Sequence, residues 1–595
     1  MKVAVQAIGG SYGRASAKVL SNSLDAYEKA VSAMLSDRLR NPKVSGPADP
    51  QTGLAPEWEP GHRNMAGYSC QLVPGMYLSG REAQLLHCYA EGHRAFITQH
   101  GVQVRAGEEF EVEMWARAQH RPVTVKVSLT LAGQQPSPES SGEMVFDLAH
   151  WHRRTCIIKT PGTGGSATFG IAAVGESRLV IDQVHPRPVG APNVSPALLE
   201  SFDHFPCASL RFPGGCQTCT CHWEHGIGPV HRRPVDDDPV FKYKIHCDFG
   251  TDEFLDLCAA RGIMPFLTLN TPTATPEDAA AWAAYVRNYY ASRGLAIPAA
   301  YFMFGNENMA THEIGHMTPE MYVAQLREFV PPVRQAYPEA KMLAMGECDC
   351  SGLRKEHAGP WRSVVIEQAA DLFDVLAVTR YSFAYDRPFD ICVQRVAETV
   401  REKERNLQRQ VQTIRDAGLN RTIAIAEWNY WTRAGHNDHA GFYEPNDIRH
   451  CLYAAAYTNA FCRLGEMHES AHYYGLVNTM GMIHLHDGLV RYSDVVKVFN
   501  LLRPALPGEV VRLEVSAPTV DANFIRADNT THGFLVNFSP HESAEVSLEN
   551  LDNITAATGI KAEAILQPVT EFVAEFAGTN VTLPPASLVR VTCKS

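Results

Sequence analysis

Several features that mark membrane or nucleic-acid-binding proteins are missing from this sequence. It has no run of about 18 apolar residues, so we expect no membrane-spanning helix. Its net charge is −12 and it has no block of Lys and Arg, which argues against nucleic acid or an acidic membrane as a partner. No Gly-x-Gly-x-x-Gly motif follows a predicted strand, and we expect no cofactor. A neutral substrate would suit this charge.

A convincing secretion signal is also lacking. The apolar stretch in residues 1–10 is interrupted by Gln6, Gly9 and Gly10, whereas a signal peptide needs a continuous apolar core. We therefore expect a cytoplasmic protein, with secretion left open. The 15 cysteines agree with this expectation, because they are scattered, odd in number and often next to aliphatic residues, as reduced buried thiols are.

One group of cysteines could have a further role. Cys216, Cys219 and Cys221 precede His222 at a spacing that could hold zinc. The paired second half of a typical structural zinc site is missing. We therefore predict no metal at this cluster and leave open whether it acts beyond packing.

The chain of 595 residues is too long for a single hydrophobic core, and its sequence pattern changes along its length. Residues 1–54 contain a possible short strand near Val19 and an amphipathic helix between Asp25 and Leu39. Residues 55–192 show short alternating runs, which are typical of a β-sandwich. This sandwich could resemble a carbohydrate-binding module, although its aromatic residues are more often part of a core. Residues 508–595 return to alternating strands and predict a C-terminal β-sandwich.

Between residues 193 and 507, predicted strands alternate with predicted helices. Seven apolar strands occur there, and the segment near Val19 supplies the eighth strand needed to close a (β/α)8 barrel. Helices should begin at Thr275-Pro276 and Thr318-Pro319, where a capping Thr precedes a Pro at the first helical position. The predicted fold class is α/β, a (β/α)8 TIM barrel with an inserted N-terminal β-sandwich and a C-terminal β-sandwich domain. The seven strands are predicted at 208–212, 265–269, 301–304, 341–345, 375–379, 423–426 and 471–477.

Two carboxylates follow predicted barrel strands, at the barrel end where active sites lie. Glu307 follows the fourth strand and Glu427 follows the seventh. Retaining glycoside hydrolysis needs one carboxyl group to protonate the leaving oxygen and another, about 5–5.5 Å away, to attack the anomeric carbon. Strands four and seven lie across the barrel from each other, so we predict that these two residues form such a pair. Asn306 could hydrogen-bond a sugar hydroxyl, and Tyr381 could donate to Glu427.

Further motifs accompany the two carboxylates. They occupy residues 210–216, 222–229, 233–234, 249–254, 305–307 and 427–431. Their order and spacing resemble glycoside hydrolase family 51 of clan A, which is best known for α-L-arabinofuranosidases. The resemblance implies that Glu307 is the acid/base and Glu427 the nucleophile, and it implies a homo-oligomer acting on oligosaccharides or polysaccharide-derived glycosides. It also implies a set of substrate-binding residues, in which Arg211 lies beneath the nucleophile. The set comprises Asn306, Tyr381, Arg211, Cys216, Trp223, Trp431 and Asn478.

Three positions depart from the family pattern. The family has a glutamate after the first strand that grips sugar hydroxyls, whereas an ungapped match places Leu24 there and Glu28 fits only with a shifted register. A Gln expected after the eighth strand is replaced by Gly481, and a His expected near Tyr381 is replaced by Thr379. We predict a retaining, exo-acting α-L-arabinofuranosidase that releases arabinofuranose from plant-polysaccharide oligosaccharides. The alternatives are an endo-β-glucanase, a glycosidase for another furanose or pyranose, and a non-catalytic carbohydrate-binding protein.

Overall fold

The structure of the chain is a computed structural model, which describes most of residues 1–594. The residues outside this description are Tyr27, Arg63, Pro161, Pro239, 241–243, 349–354, 384–386, 433–434, 439–440, 444–445, Thr479, 487–488 and Ser595. Within the described part, no helix combines the length and the apolar character needed to cross a membrane. Thirteen of the described cysteines carry free thiols.

Eight parallel strands follow one another around a closed barrel, as the sequence predicts. Most of their side chains are buried, because helices cover the outside of such a barrel and side chains fill its interior. The strands are β1 Ser21–Ser23, β2 Ser209–Phe212, β3 Met264–Leu269, β4 Tyr301–Phe304, β5 Lys341–Glu347, β6 Val375–Phe383, β7 Thr422–Trp431 and β8 His468–Tyr474.

Nine helices lie in the described part of the chain, most of them between barrel strands. The two predicted helix starts are confirmed, because the Thr275 hydroxyl accepts from the Asp278 backbone N–H and the Thr318 hydroxyl accepts from that of Met321. The helices are α1 Glu28–Met34, α2 Pro196–Ser201, α3 Thr251–Arg261, α4 Pro276–Ser292, α5 Pro319–Ala336, α6 Lys355–Ala369, α7 Phe389–Asp416, α8 Ile448–Arg463 and α9 Val495–Leu502.

The first barrel strand begins later than predicted. Residues Ala17–Val19 form a 3-10 turn rather than a strand, because the Ser16 hydroxyl accepts from the Lys18 backbone N–H at 3.1 Å and caps the turn. The strand follows at Ser21–Ser23. Part of the predicted helix that follows, at Tyr27, lies outside the described residues.

The inserted segment folds into two five-stranded antiparallel sheets with a core of their own. Their alternating burial matches the period of two that predicts a half-buried strand. In sheet order, one has His152–Lys159, Glu109–Gln119, Ser177–Pro188, Glu82–Cys88 and Tyr68–Pro74. The other has Glu59–Pro60, Arg94–Val104, Gly165–Val174, Val123–Leu131 and Ser141–Phe146.

The C-terminal strands form one ten-stranded sheet that also contains the N-terminus. Strand Lys2–Ala15 lies between Gly508–Val515, to which it is antiparallel, and Ala544–Glu549, to which it is parallel. The predicted division of the chain did not anticipate this pairing, because pairing across more than 500 residues leaves no local signal. The other strands are Val520–Ala527, Thr530–Asn537, Ile554–Lys561, Thr570–Val573, Phe576–Ala577, Asn580–Leu583 and Ser587–Lys594. Among the residues that the structure describes, three short antiparallel strand pairs lie outside these sheets: Val235–Asp237 with Lys244–His246, Gly435–Asp438 with Gly441–Tyr443, and Ile483–His486 with Leu489–Tyr492.

The sandwich contacts the loop that follows β2, next to the barrel opening. Trp115 stacks on His231 with ring centroids 4.3 Å apart, and the Gln183 side chain donates to the His231 carbonyl at 3.1 Å. The loop is therefore fixed from outside the barrel.

Candidate active site

Glu307 and Glu427 lie at the C-terminal end of the barrel. Glu427 is inside β7, which is longer than predicted, and Glu307 belongs to the turn after β4. Gly305 has a φ of 77°, and a Cβ there would lie 2.4 Å from the Asn308 side chain, so this turn requires glycine. Glu307 has a φ of 43°, which residues with a Cβ adopt rarely and mostly at functional sites. Both glutamates are buried.

A single buried guanidinium joins the ends of three strands. Arg211 on β2 donates through Nη1 to Glu427 Oε1, and through Nη2 to the side-chain oxygen of Asn306 at 2.8 Å. Its Nε donates to the Thr268 hydroxyl at 2.8 Å. The arginine thus holds the Glu427 carboxylate and the residue before Glu307 around one planar group, as a rigid fork of donors can.

Tyr381 on β6 is the second donor to Glu427. Its hydroxyl lies 2.7 Å from Glu427 Oε2, so each carboxylate oxygen has one donor. The Tyr381 ring lies 6.2 Å from Trp431, which stacks on Phe383 at 5.6 Å. These aromatic rings form one wall beside the carboxylate.

Glu307 is surrounded mainly by negative charge. Burial, followed by the charges of Glu427 and Glu313, raises the pKa of Glu307 to about 8. The Thr379 hydroxyl donates to Glu307 Oε1 at 2.5 Å and, with Arg211, acts in the opposite direction. The pKa of Glu307 therefore suits a group that must carry a proton near neutral pH.

Asp25 is a third carboxylate of the pocket, two residues beyond β1. Its Oδ2 accepts from the Tyr474 hydroxyl at the end of β8. Its Oδ1 is buried and has no hydrogen-bond partner among the residues that the structure describes. Burial, with a smaller contribution from Glu427, raises the pKa of Asp25 to about 7.

A cluster of thiols, an imidazole and a carboxylate lies beside the pair. Glu313 accepts from the Asn306 amide at 3.2 Å and from the Cys219 thiol at 3.4 Å. Ligand atoms of Cys216, His312 and Glu313 lie within 4.8 Å of one another. Burial raises the pKa of Glu313 to about 7, although the Cys216 and Cys219 thiols act against this shift.

Comparison with known proteins shows which families this chain resembles. Residues 201–374 match the model of the "Alpha-L-arabinofuranosidase 1 domain". A probable α-L-arabinofuranosidase C of Aspergillus terreus is 26% identical over 283 residues, 45% of this chain and 56% of that protein. An intracellular exo-α-L-arabinofuranosidase of Bacteroides ovatus is 24% identical over 423 residues, 63% of this chain and 78% of that protein. The chain is therefore similar in sequence to α-L-arabinofuranosidases, and similar in fold to solved members of glycoside hydrolase family 51.

The sequence similarity covers only part of the curated relatives, whereas the similarity of fold extends over the whole chain. The match spans 56% and 62% of the length of the first two curated relatives. A solved arabinose-bound family 51 α-L-arabinofuranosidase, MgGH51, superimposes with a TM-score of 0.71 over 100% of both chains at 13% identity. At this identity the superposition supports a common fold.

Two residues that the family resemblance assigns to the sugar pocket have other contacts. The Trp223 ring packs against Tyr285 of α4, with ring centroids 5.3 Å apart. Both ends of the Asn478 amide bond Leu485, whose N–H lies 2.8 Å from Oδ1 and whose carbonyl lies 3.2 Å from Nδ2. Asn478 therefore fixes a loop after β8, and the sugar-binding roles of Trp223 and Asn478 stay predictions.

Sequence reasoning missed Asp25, His312 and Glu313. Asp25 was hidden because the first strand was predicted too early, although a correct strand at Ser21–Ser23 would have drawn attention to it. His312 and Glu313 lie in the loop after β4, where no periodic pattern exists. Leu24 is fully buried in the barrel core, so the position given by the ungapped match is not a pocket residue. The side chain of Glu28 lies outside the described residues.

Proposed function

We propose that this protein is a retaining glycoside hydrolase that removes terminal α-L-arabinofuranose from oligosaccharides. The observation that carries the proposal is the difference between the two glutamates. Glu427 has a donor on each oxygen, which stabilises its negative charge. Glu307 has a raised pKa. Two carboxyl groups whose surroundings separate their protonation are the acid and base arrangement of glycosidases.

The reaction then has two steps. In the first, Glu427 attacks the anomeric carbon, and Glu307 gives its proton to the leaving oxygen as the glycosidic bond breaks. In the second, Glu307 takes a proton from water, which attacks the same carbon and releases Glu427. Arg211 and Tyr381 hold Glu427 in the same orientation throughout.

Asp25 binds the sugar hydroxyls in place of the glutamate that the family has at its first strand. Its partnerless Oδ1 can accept from a sugar hydroxyl, and its Oδ2 is fixed by Tyr474. Exo action on arabinofuranose is proposed by similarity to relatives such as the intracellular exo-α-L-arabinofuranosidase of Bacteroides ovatus. A cytoplasmic location and a homo-oligomer are part of the same proposal.

The test is a panel of aryl glycosides with wild type, Glu427→Gln and Glu307→Gln. Activity should be highest on α-L-arabinofuranoside and almost absent in Glu427→Gln, since no other group can form the covalent intermediate. Glu307→Gln should lose most activity on substrates with poor leaving groups, because activated aryl groups need little protonation. A first-formed arabinose of inverted configuration by NMR would contradict the retaining mechanism.

A different glycone is the alternative that one observation favours. Asp25, whose side chain is one carbon shorter than that of glutamate, binds the sugar, and Gly481 replaces the expected Gln. The contacts to the sugar hydroxyls therefore differ from the family pattern. Preference for β-D-galactofuranoside, β-D-xyloside or β-D-glucoside in the same panel would establish this alternative. Loss of all turnover, with sugar binding retained in a glycan-array assay, would indicate a binding protein.

A further inference from the structure

The cluster beside Glu307 contains potential metal ligands, although the proposed hydrolysis requires no metal. Its members come from two separated segments, Gly215–Thr220 after β2 and the loop after β4. The sequence prediction of no metal considered only the first segment with His222. In the structure the neighbouring ligands are instead His312 and Glu313.

The distances in this cluster are too long for hydrogen bonds and close to the spacing of ligands around one zinc ion. His312 Nε2 lies 3.7 Å from Glu313 Oε1 and 4.0 Å from Glu307 Oε2, so it hydrogen-bonds neither. Ligands of tetrahedral zinc, with metal bonds of about 2.0–2.3 Å, lie roughly 3.4–3.6 Å from one another. The separation of the His312 and Glu313 atoms is thus close to the edge of such a tetrahedron. The Cys216 sulfur is the third atom of this group.

The charge around the cluster also favours a cation. The carboxylates of Glu313 and Glu427 both raise the pKa of neighbouring carboxylates in the pocket, and Arg211 contacts Glu427 rather than Glu313. Glu313 is fully buried, and a buried carboxylate among other carboxylates is costly unless it is paired.

We propose that Cys216, His312 and Glu313 bind a divalent transition-metal ion of the zinc type, with the neighbouring Cys219 thiol able to complete a set of four ligands. A mixture of thiolate, imidazole and carboxylate is a donor set that zinc prefers, whereas magnesium and calcium require oxygen alone. Cys216 and Cys219 would release their protons to solvent on binding, so the affinity should rise with pH.

The site is distinct from a second group of possible ligands. His225, Asp236 and Cys247 also approach one another, but His225 Nδ1 already pairs with Asp236 Oδ2 at 2.8 Å. That contact is a normal ion-pair distance and leaves no room for a metal between the two atoms. This group therefore provides a matched control.

The test is metal binding by the full-length protein, which is independent of turnover and of the proposed function. Chelator-treated protein is titrated with Zn²⁺ by calorimetry and with Co²⁺ by absorption. We expect one ion per chain and a thiolate-to-Co²⁺ charge-transfer band. Cys216→Ser and His312→Ala should each weaken Zn²⁺ binding on the order of 100-fold or more, beyond the usual cost of losing an outer-shell contact.

Two features keep this test decisive. His312 is at the surface, so its replacement should leave the fold intact, which circular dichroism can verify. Cys247→Ser should bind Zn²⁺ and Co²⁺ like wild type. The proposal is overturned if the wild type binds no Zn²⁺, if Cys216→Ser and His312→Ala bind as wild type does, or if Cys247→Ser is the variant that loses the ion.

Discussion

At the scale of single residues, the hydroxyl of Tyr381 gives the cleanest test of how Glu427 is held. Tyr381→Phe removes one donor and keeps the ring. A hydrogen bond to a charged group contributes about 1.5–3 kcal/mol, so kcat should fall about tenfold to hundredfold if the bond matters in the transition state. The measurement is kcat on an aryl α-L-arabinofuranoside. Tyr285→Phe, whose hydroxyl bonds Asp252 away from the pocket, should keep wild-type activity.

The proton of Glu307 is the second feature that single substitutions can test. The general acid must be protonated, and its pKa is raised to about 8, so kcat/KM of chelator-treated protein should fall as pH rises through about 8. Thr379→Val removes a donor to the ionised form and should move this basic limb to higher pH. Glu313→Gln removes a neighbouring negative charge and should move it to lower pH.

Opposite shifts by these two variants are needed to support this account of Glu307. A basic limb that stays in place in both variants would assign it to a group other than Glu307. The readout is the apparent pKa of kcat/KM rather than its maximum, because a general loss of structure lowers the maximum without moving the limb.

At the scale of elements, the sequence predicted most barrel strands well, but it predicted the first strand and the loops poorly. β4 agrees with its predicted limits, because its four apolar residues are bounded by turn residues. β1 consists of Ser21, Asn22 and Ser23, which have little strand propensity, and its position is fixed by pairing with β2 and β8. The same reasoning explains why Glu427, at the end of an apolar run, was found from the sequence pattern, whereas Glu313 was not; Arg211 came from the family resemblance.

At the opposite end of the barrel, an ion-pair network connects several barrel strands. Glu469 on β8 accepts from Lys18 at 2.8 Å, from Lys341 on β5 at 2.9 Å and from the Thr422 hydroxyl on β7 at 2.9 Å. These contacts lower the pKa of Glu469 from 4.5 to about 2, despite the opposing effect of burial. The network therefore joins β5 to β7 and β8, which are not its neighbours in the barrel.

Glu469→Gln should therefore destabilise the barrel in a pH-dependent way. The folded pKa lies below the unfolded one, so the stabilisation is complete above about pH 4.5 and is lost as pH falls toward 2. A shift of this size corresponds to about 3 kcal/mol at most. Calorimetric Tm values should differ clearly between wild type and variant at pH 6 and converge only as the pH approaches 2. Glu339→Gln, which breaks an exposed pair with Arg287, should change Tm little at either pH.

At the scale of the whole molecule, the N-terminal strand connects the two ends of the chain. Val3 and Val5 are buried in the same core as Phe524, Leu535 and Val589 of the C-terminal sheet. Removing this strand from between its two neighbours would expose two sheet edges, which proteins rarely leave open. Folding of the C-terminal sheet should therefore depend on strand Lys2–Ala15.

A matched pair of substitutions tests this dependence without shortening the chain. Val5 is fully buried and the neighbouring Gln6 is only half-buried, because successive residues of a strand face opposite sides. Val5→Asp places an unpaired charge in the core and should cost about 4 kcal/mol or more, whereas Gln6→Asp should cost far less. Limited proteolysis should cut the Val5→Asp variant within 508–595 at a temperature at which Gln6→Asp is resistant. Equal resistance of both variants would mean that the C-terminal sheet holds together without the strand, and the barrel would then be the unit whose stability limits the molecule.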